Sequence, residues 1–305
     1  MMTYSIVARD SVTGELGVAS QSHYFALGRV VPFARAGVGV VATQSFVDPA
    51  YGPNGLDLMA SGVSAPMALT SLLAKDEDRE LRQVAFLDAA GGKAMFTGDR
   101  CVPHRAQLEA SNVVVLGNML ASDAVVPAML AAYEDTAGPL LDRMLAAMDA
   151  AEAAGGDARG RMSAALLVVS AEIAPAPWAN RLIDVRVDDH PEPLAELRRL
   201  TKLSQAHTIF GASVFTPGLL SGETAATGPQ LAEALRMLTN AQGLIGFDPE
   251  PTFWKGVLLI RAGEIASGRR LVAAIVAARP QYRAFVDGLY AVGILQLSSN
   301  ELLGA

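Results

Sequence analysis

The chain holds a single cysteine, Cys101, in 305 residues. No intrachain disulfide can form, which fits a reducing, cytoplasmic setting and leaves Cys101 as a buried structural thiol or, alternatively, a low-pKa nucleophile. Charge is scarce too: 18 % of residues are charged and the formal net charge is −7. With no basic run to track phosphates, neither nucleic acid nor an anionic membrane is expected as a partner. Long apolar runs are lacking. The longest uncharged stretches, Leu58 to Ala74 and Leu203 to Gly222, are interrupted by glycine, proline and hydroxyl residues, so neither reads as a membrane span. No basic stretch followed by an apolar one opens the chain, so no signal peptide is expected. His23, His104 and His207 show no ligand spacing, and the glycine-rich stretch at 155–160 precedes a strand, not a helix. No cofactor is therefore expected.

Apolar residues are plentiful, at 51 %. A chain of this length buries about three quarters of its unfolded surface and needs no staples. The high apolar content also favours a homo-oligomer, although that signal is generic. Strand patterns run over Thr3–Asp10, Leu16–Gln21, Val38–Ser45, Gln83–Asp88, Lys93–Thr97, Asn112–Leu116, Ser163–Ser170 and Leu182–Asp188. Helical spacing covers Leu56–Lys75, Asp123–Ala154 with a break at Gly138–Pro139, and a start at Pro193. Strands come in hairpins and helices come in blocks. That predicts antiparallel sheets with helices packed outside, an α+β fold in which two stacked sheets lie between helical layers. Residues 211–228 read as a linker, followed by helices over Pro229–Ala241, Phe253–Ile265 and Ser267–Ile294. The expected domains are 1–207 and a small, mainly helical 208–305.

Five segments in order, TYSIVARDSVTGELGVA, VPFARAGVGVVATQS, YGPNGL, AGGDARG and IDVRVDDHPEP, resemble an uncharacterised family of the N-terminal-nucleophile (Ntn) hydrolase superfamily. They span about two thirds of the chain. The resemblance implies a four-layer αββα sandwich and hydrolysis of an amide or related bond by the first residue of the mature chain. The superfamily includes proteasome subunits, amidases and acylases. In the tail, FWKG and ARPQYRAF weakly resemble a small module described as peptidoglycan-binding, which implies a cell-wall ligand.

Thr3 is then the expected nucleophile. A threonine hydroxyl needs an adjacent base, and a free α-amine, with a reference pKa of about 7.7–8.0, can serve only if threonine is residue one. Otherwise Thr3 is an ordinary strand residue. Ser5 shares its strand face. An acyl-transfer site also needs oxyanion donors. Asn118 is the candidate donor and Gly117 permits close approach, unless the pair merely closes a strand. Gln44 either places substrate or caps a loop, and Ser163 begins a strand that can face the cleft. Asp188, Asp189 and His190 form a dense polar cluster: a catalytic support, a strand-end network or part of a metal site. The working assignment is Thr3, Asn118, Asp188 and His190 as catalytic, with Gln44, Ser163, Gly117 and Asp189 against a small amide-like substrate and no metal. The family pattern carries Gln where this chain has Leu116 and Met162, Trp and His where it has His104 and Gln107, and Lys at His23. These losses favour an alternative: an inactive binding protein on the same scaffold.

Overall fold

The computed structural model describes residues 3–215, 218–220 and 227–304. Its contacts cluster into two compact units, Met1–Thr201 and Lys202–Ala305, divided within one long helix.

Among the described residues, the first unit contains ten strands in two antiparallel sheets. The larger sheet has the order β10 (Arg181–Val187), β9 (Ser163–Val169), β2 (Leu16–Ser22), β1 (Thr3–Arg9), β8 (Val113–Asn118) and β7 (Ala106–Ala110). The smaller has β3 (Pro32–Arg35), β4 (Gly39–Ser45), β5 (Arg82–Asp88) and β6 (Lys93–Thr97). Strand alternation sorts the side chains of β1 into two layers. Tyr4, Ile6 and Ala8 pack with residues of α3 (Val125–Asp135) and α4 (Leu140–Ala153). Val7 packs between the sheets with Val18, Val40, Leu87 and Val114. On the far face of the smaller sheet, Val41, Val84 and Phe86 meet α1 (Tyr51–Ala60) and α2 (Ala65–Leu73). The four layers are therefore helix, sheet, sheet, helix, as expected.

The predicted helix over Leu56–Lys75 is in fact two, and it starts earlier. The segment YGPNGL opens α1 despite two glycines and a proline. Those glycines are what let the helix lie on the sheet: a Cβ on Gly52 would sit 2.3 Å from the Phe33 ring, and one on Gly55 2.4 Å from the Phe86 ring. Close packing outweighs their low helix propensity. The short strands β3 and β7 were not expected from the pattern. Both are edge strands, and β7 is mostly half-exposed or exposed, so neither shows an apolar run.

The second unit is helical. The helix α5 (Pro193–Val214) absorbs the first four residues of the expected linker, while 216–217 and 221–226 lie outside the described residues. It is followed by α6 (Gly228–Ile245), α7 (Glu250–Arg261), α8 (Ile265–Ala278), α9 (Tyr282–Ala291) and α10 (Ser299–Leu303). The single helix read over Ser267–Ile294 divides at Pro280, where a helix interior cannot continue. Its core gathers Phe253, Val257, Leu238, Val272 and Val286.

Candidate functional site

Thr3 begins the central strand of the larger sheet and faces the smaller one. It pairs across to Asn118, and Gln44 on β4 pairs to Gln83 on β5. Thr3, Asn118, Gln44 and Gln83 are all fully buried. Their side chains bridge the sheets. The Thr3 carbonyl accepts from Gln44 Nε2 at 3.1 Å and from Asn118 Nδ2 at 3.4 Å. Gln83 Oε1 accepts from the same two nitrogens, at 2.7 and 3.0 Å.

Gln83 sets the direction of both neighbours. Its own Nε2 donates to the Gly117 carbonyl at 2.9 Å and to Thr97 Oγ1 at 2.9 Å, so Oε1 is the atom left to accept. A shared acceptor forces Gln44 and Asn118 to present their NH2 groups, and each group has just two hydrogens. Gln44 Oε1 in turn accepts from the Ser5 hydroxyl at 2.6 Å, which leaves Ser5 to accept from Ser20 at 2.8 Å. Thr97 donates onward to Gln107 Oε1 at 2.6 Å. With both Asn118 hydrogens engaged, its Oδ1 is left without a partner among the described residues. A buried acceptor in that state costs about 1–3 kcal/mol.

Backbone strain gathers at the same end. Among the described residues, five that are not glycine adopt left-handed φ: Ala26, Ser45, His104, Asn112 and Met119. Ser45 directly follows Gln44, and Met119 directly follows Asn118. Ala26 follows β2 by a few residues, and the His104 carbonyl binds the Leu120 N–H, two residues past Asn118. Only Asn112, in the β7–β8 hairpin, lies at the opposite end. Ser45 is buried and its Oγ has no partner among the described residues. Such conformations cost about 1–3 kcal/mol each and accumulate at functional sites.

Not all the expected site residues converge. Gly117 faces the helical layer, where a Cβ would strike Leu120, and it contributes only its carbonyl to Gln83. Ser163 is buried but pins the loop after β2, donating to the Tyr24 carbonyl at 2.5 Å and accepting from the Leu27 N–H at 3.2 Å. Asp188 lies in an exposed ion pair with Arg186, and its carbonyl binds the Ala26 N–H. Asp189 is exposed. The His190 ring accepts the Glu192 N–H at 3.0 Å, and the His190 backbone N–H donates to the Met162 carbonyl. These three residues close a strand end and do not join the Thr3 cluster. Among the described residues no group of three His, Cys, Asp or Glu is placed to hold a metal, and no helix is long and apolar enough to cross a membrane.

The substituted positions separate in the same way. Leu116 packs into the apolar layer between the sheets, while Gln107 joins the Gln83 network. His104 is exposed and pairs with Asp123 at 3.4 Å. His23 leaves β2 with its N–H on the buried Asp157 carboxylate at 2.8 Å. Beneath Thr3, on the helical side, burial and the Glu152 carboxylate 2.7 Å away hold the Tyr4 phenol well above its ordinary pKa. A surface cavity of about 270 Å³ lies elsewhere, lined by Asp48, Tyr51, Asn54, Lys75 and Asp76. It excludes Thr3, and Asp76 is already held by Arg82 and Tyr51, so the Thr3 cluster is the stronger candidate.

Gln83, Ser20 and Thr97 were not singled out by sequence reasoning. Gln83 was legible in one respect: it shares a strand face with Ala85 and Leu87, and a glutamine at such an inward position calls for partners.

Residues 3–197 match the model of a family described as "Family of unknown function (DUF1028)". The chain belongs to the DUF1028 family. Consistently, a crystal structure of protein SPO2555 from Silicibacter pomeroyi, itself assigned to DUF1028, is similar at 30 % identity with a TM-score of 0.59. The similarity covers 66 % of this chain and 84 % of that one. Among curated proteins none matches. The DUF1028 match begins on Thr3 itself.

Proposed function

We propose that this DUF1028 protein hydrolyses an amide or related bond in a small molecule, with Thr3 as the N-terminal nucleophile of an Ntn-type site. The observation that carries the reading is the double clamp on the Thr3 carbonyl by Gln44 and Asn118, both oriented by Gln83. A strand residue of ordinary structural role needs no such fixture between two sheets, where apolar contacts stabilise more. The clamp fixes the carbonyl of Thr3, and with it the peptide plane that leads from Thr3 into β1.

In this reading, removal of whatever precedes Thr3 gives it a free α-amine. The amine takes the hydroxyl proton as Oγ1 attacks the substrate carbonyl. The carbonyl π electrons move to oxygen, forming the tetrahedral oxyanion. Asn118 Nδ2 supports that oxyanion by trading its long 3.4 Å bond to the Thr3 carbonyl, together with backbone N–H groups. Collapse expels the leaving amine, which takes the proton back. Water then releases the acyl group from Thr3 by the same route reversed.

The test is turnover of a panel of acyl-p-nitroanilides by the purified protein. Thr3→Ala is expected to lower it by at least about a thousandfold, as loss of a nucleophile does. Equal turnover by both proteins overturns the reading.

A second reading, an inactive binding protein, is favoured by the complete burial of Thr3. In this reading the helical unit carries the ligand site, on the aromatic group of Phe253, Trp254, Tyr282 and Phe285. Retention on peptidoglycan that is lost in Phe285→Ser, in a protein without turnover, supports this reading over the first.

A further inference from the structure

Three aromatic side chains of the first unit are strongly exposed: Tyr24 at 44 %, Phe25 at 61 % and Phe46 at 49 %. Every other aromatic side chain described there is buried or half-buried. All three stand at the Thr3 end of the sandwich. Tyr24 and Phe25 leave β2 two and three residues after Ser22, and Phe46 lies two residues beyond the clamp residue Gln44. An exposed aromatic on a loose loop would need no explanation. These loops are tied down. Ser163, itself fully buried, holds the Tyr24 carbonyl and the Leu27 N–H. Phe46 is fixed by its N–H to the Leu81 carbonyl at 3.2 Å and by Arg82 on its own carbonyl at 2.6 Å. Anchoring the backbone beneath these rings lowers the ordering cost of a ligand that binds on them.

A second, independent feature points into the same end. Asn118 Oδ1 is a fully buried acceptor with no partner among the described residues, and Gln83 prevents the amide from turning to relieve it. An N–H donor completes it.

We propose that the ligand of the Thr3 site is a small N–H-bearing amide that carries an aromatic or branched apolar group. Its N–H goes to Asn118 Oδ1, and its apolar group lies on Phe25, Tyr24 and Phe46. This rests on the Thr3 end being the site, but not on Thr3 being a nucleophile. Covering one exposed ring is worth roughly tenfold in affinity.

Binding of N-phenylacetylglycinamide and N-acetylglycinamide to the full chain, followed by NMR titration, tests it. The phenylacetyl compound should bind at least about tenfold more tightly. Phe25→Ser and Phe46→Ser, both at exposed positions that leave the fold intact, should each cut that preference several-fold, and Asn118→Leu should weaken both compounds. Equal binding of the two compounds, or a preference unchanged in the Phe25→Ser, Phe46→Ser double variant, overturns the proposal. So does concentration-dependent dimerisation abolished by the same two variants, which assigns the rings to a second copy of the chain. Selective binding without any turnover sinks the nucleophile reading while leaving this one standing.

Discussion

The space between the two sheets has two ends of opposite character. One is a dry core of Val7, Val18, Val40, Leu87 and Val114. The other, reached along the same strands, holds Thr3, Ser5, Ser20, Gln44, Gln83 and Asn118, all fully buried. The same backbone ladders serve both. Only side chains differ, so the polar end is not imposed by the fold. Apolar residues would fill it with less risk, because a buried amide network is stable only when every member is satisfied. Here Asn118 Oδ1 and Ser45 Oγ are not, among the described residues. The difference between the ends is what the proposed function explains.

Breaking the polar end at its hub should cost most. Gln83→Ala removes the acceptor shared by Gln44 and Asn118 and leaves a cavity, for an expected loss of about 3–5 kcal/mol in urea unfolding. The matching change at the dry end, Leu87→Ala, should cost about 2–4 kcal/mol, yet leave ligand binding and turnover as they were. If both variants affect binding equally, the two ends are not functionally distinct. A sharper contrast comes from strain. Ser45→Gly relieves a left-handed φ of 72° and removes an unpartnered hydroxyl, so stability should rise by about 1 kcal/mol while activity falls. A rise in both would make Ser45 an ordinary imperfection.

The smallest effect separates the site from the scaffold's own charges. At Asp10, burial works upward, but the Thr13 and Val12 N–H groups outweigh it and hold the carboxyl below its ordinary value. At Asp76, burial is likewise outweighed, by Arg82 first. A carboxylate with a depressed folded pKa stabilises above the unfolded value of about 3.9 and loses that contribution as pH falls through the folded one. The unfolding midpoint should therefore drop modestly from about pH 5 to about pH 3. Asp76→Asn should flatten that slope, whereas Asn118→Leu should leave it unchanged.

Much of this architecture was legible beforehand. Hairpin spacing and β-branched runs located eight strands, and Gly138–Pro139 marked the break between α3 and α4. What escaped was decided by tertiary contacts. Gly52 and Gly55 start a helix because Phe33 and Phe86 lie against it. The edge strands β3 and β7 carry no continuous apolar signal. For the site, alternation along β1 placed Thr3 and Ser5 on one face, and Gln44 and Asn118 came with them. Gln83 could be read as polar and inward, but its partners lie on four other strands, β4, β6, β7 and β8, and only the stacking of the sheets brings them together. Asp188, Asp189 and His190 looked dense in one dimension and disperse in three.

The central claim is that the fixed residue of the clamp is the head of the working protein. Electrospray mass analysis of the purified full-length product, paired with sequencing from its amino end, reads this directly. The account predicts one species starting at Thr3 with an unblocked amine. A homogeneous, folded product that still carries Met2 on that threonine would contradict it.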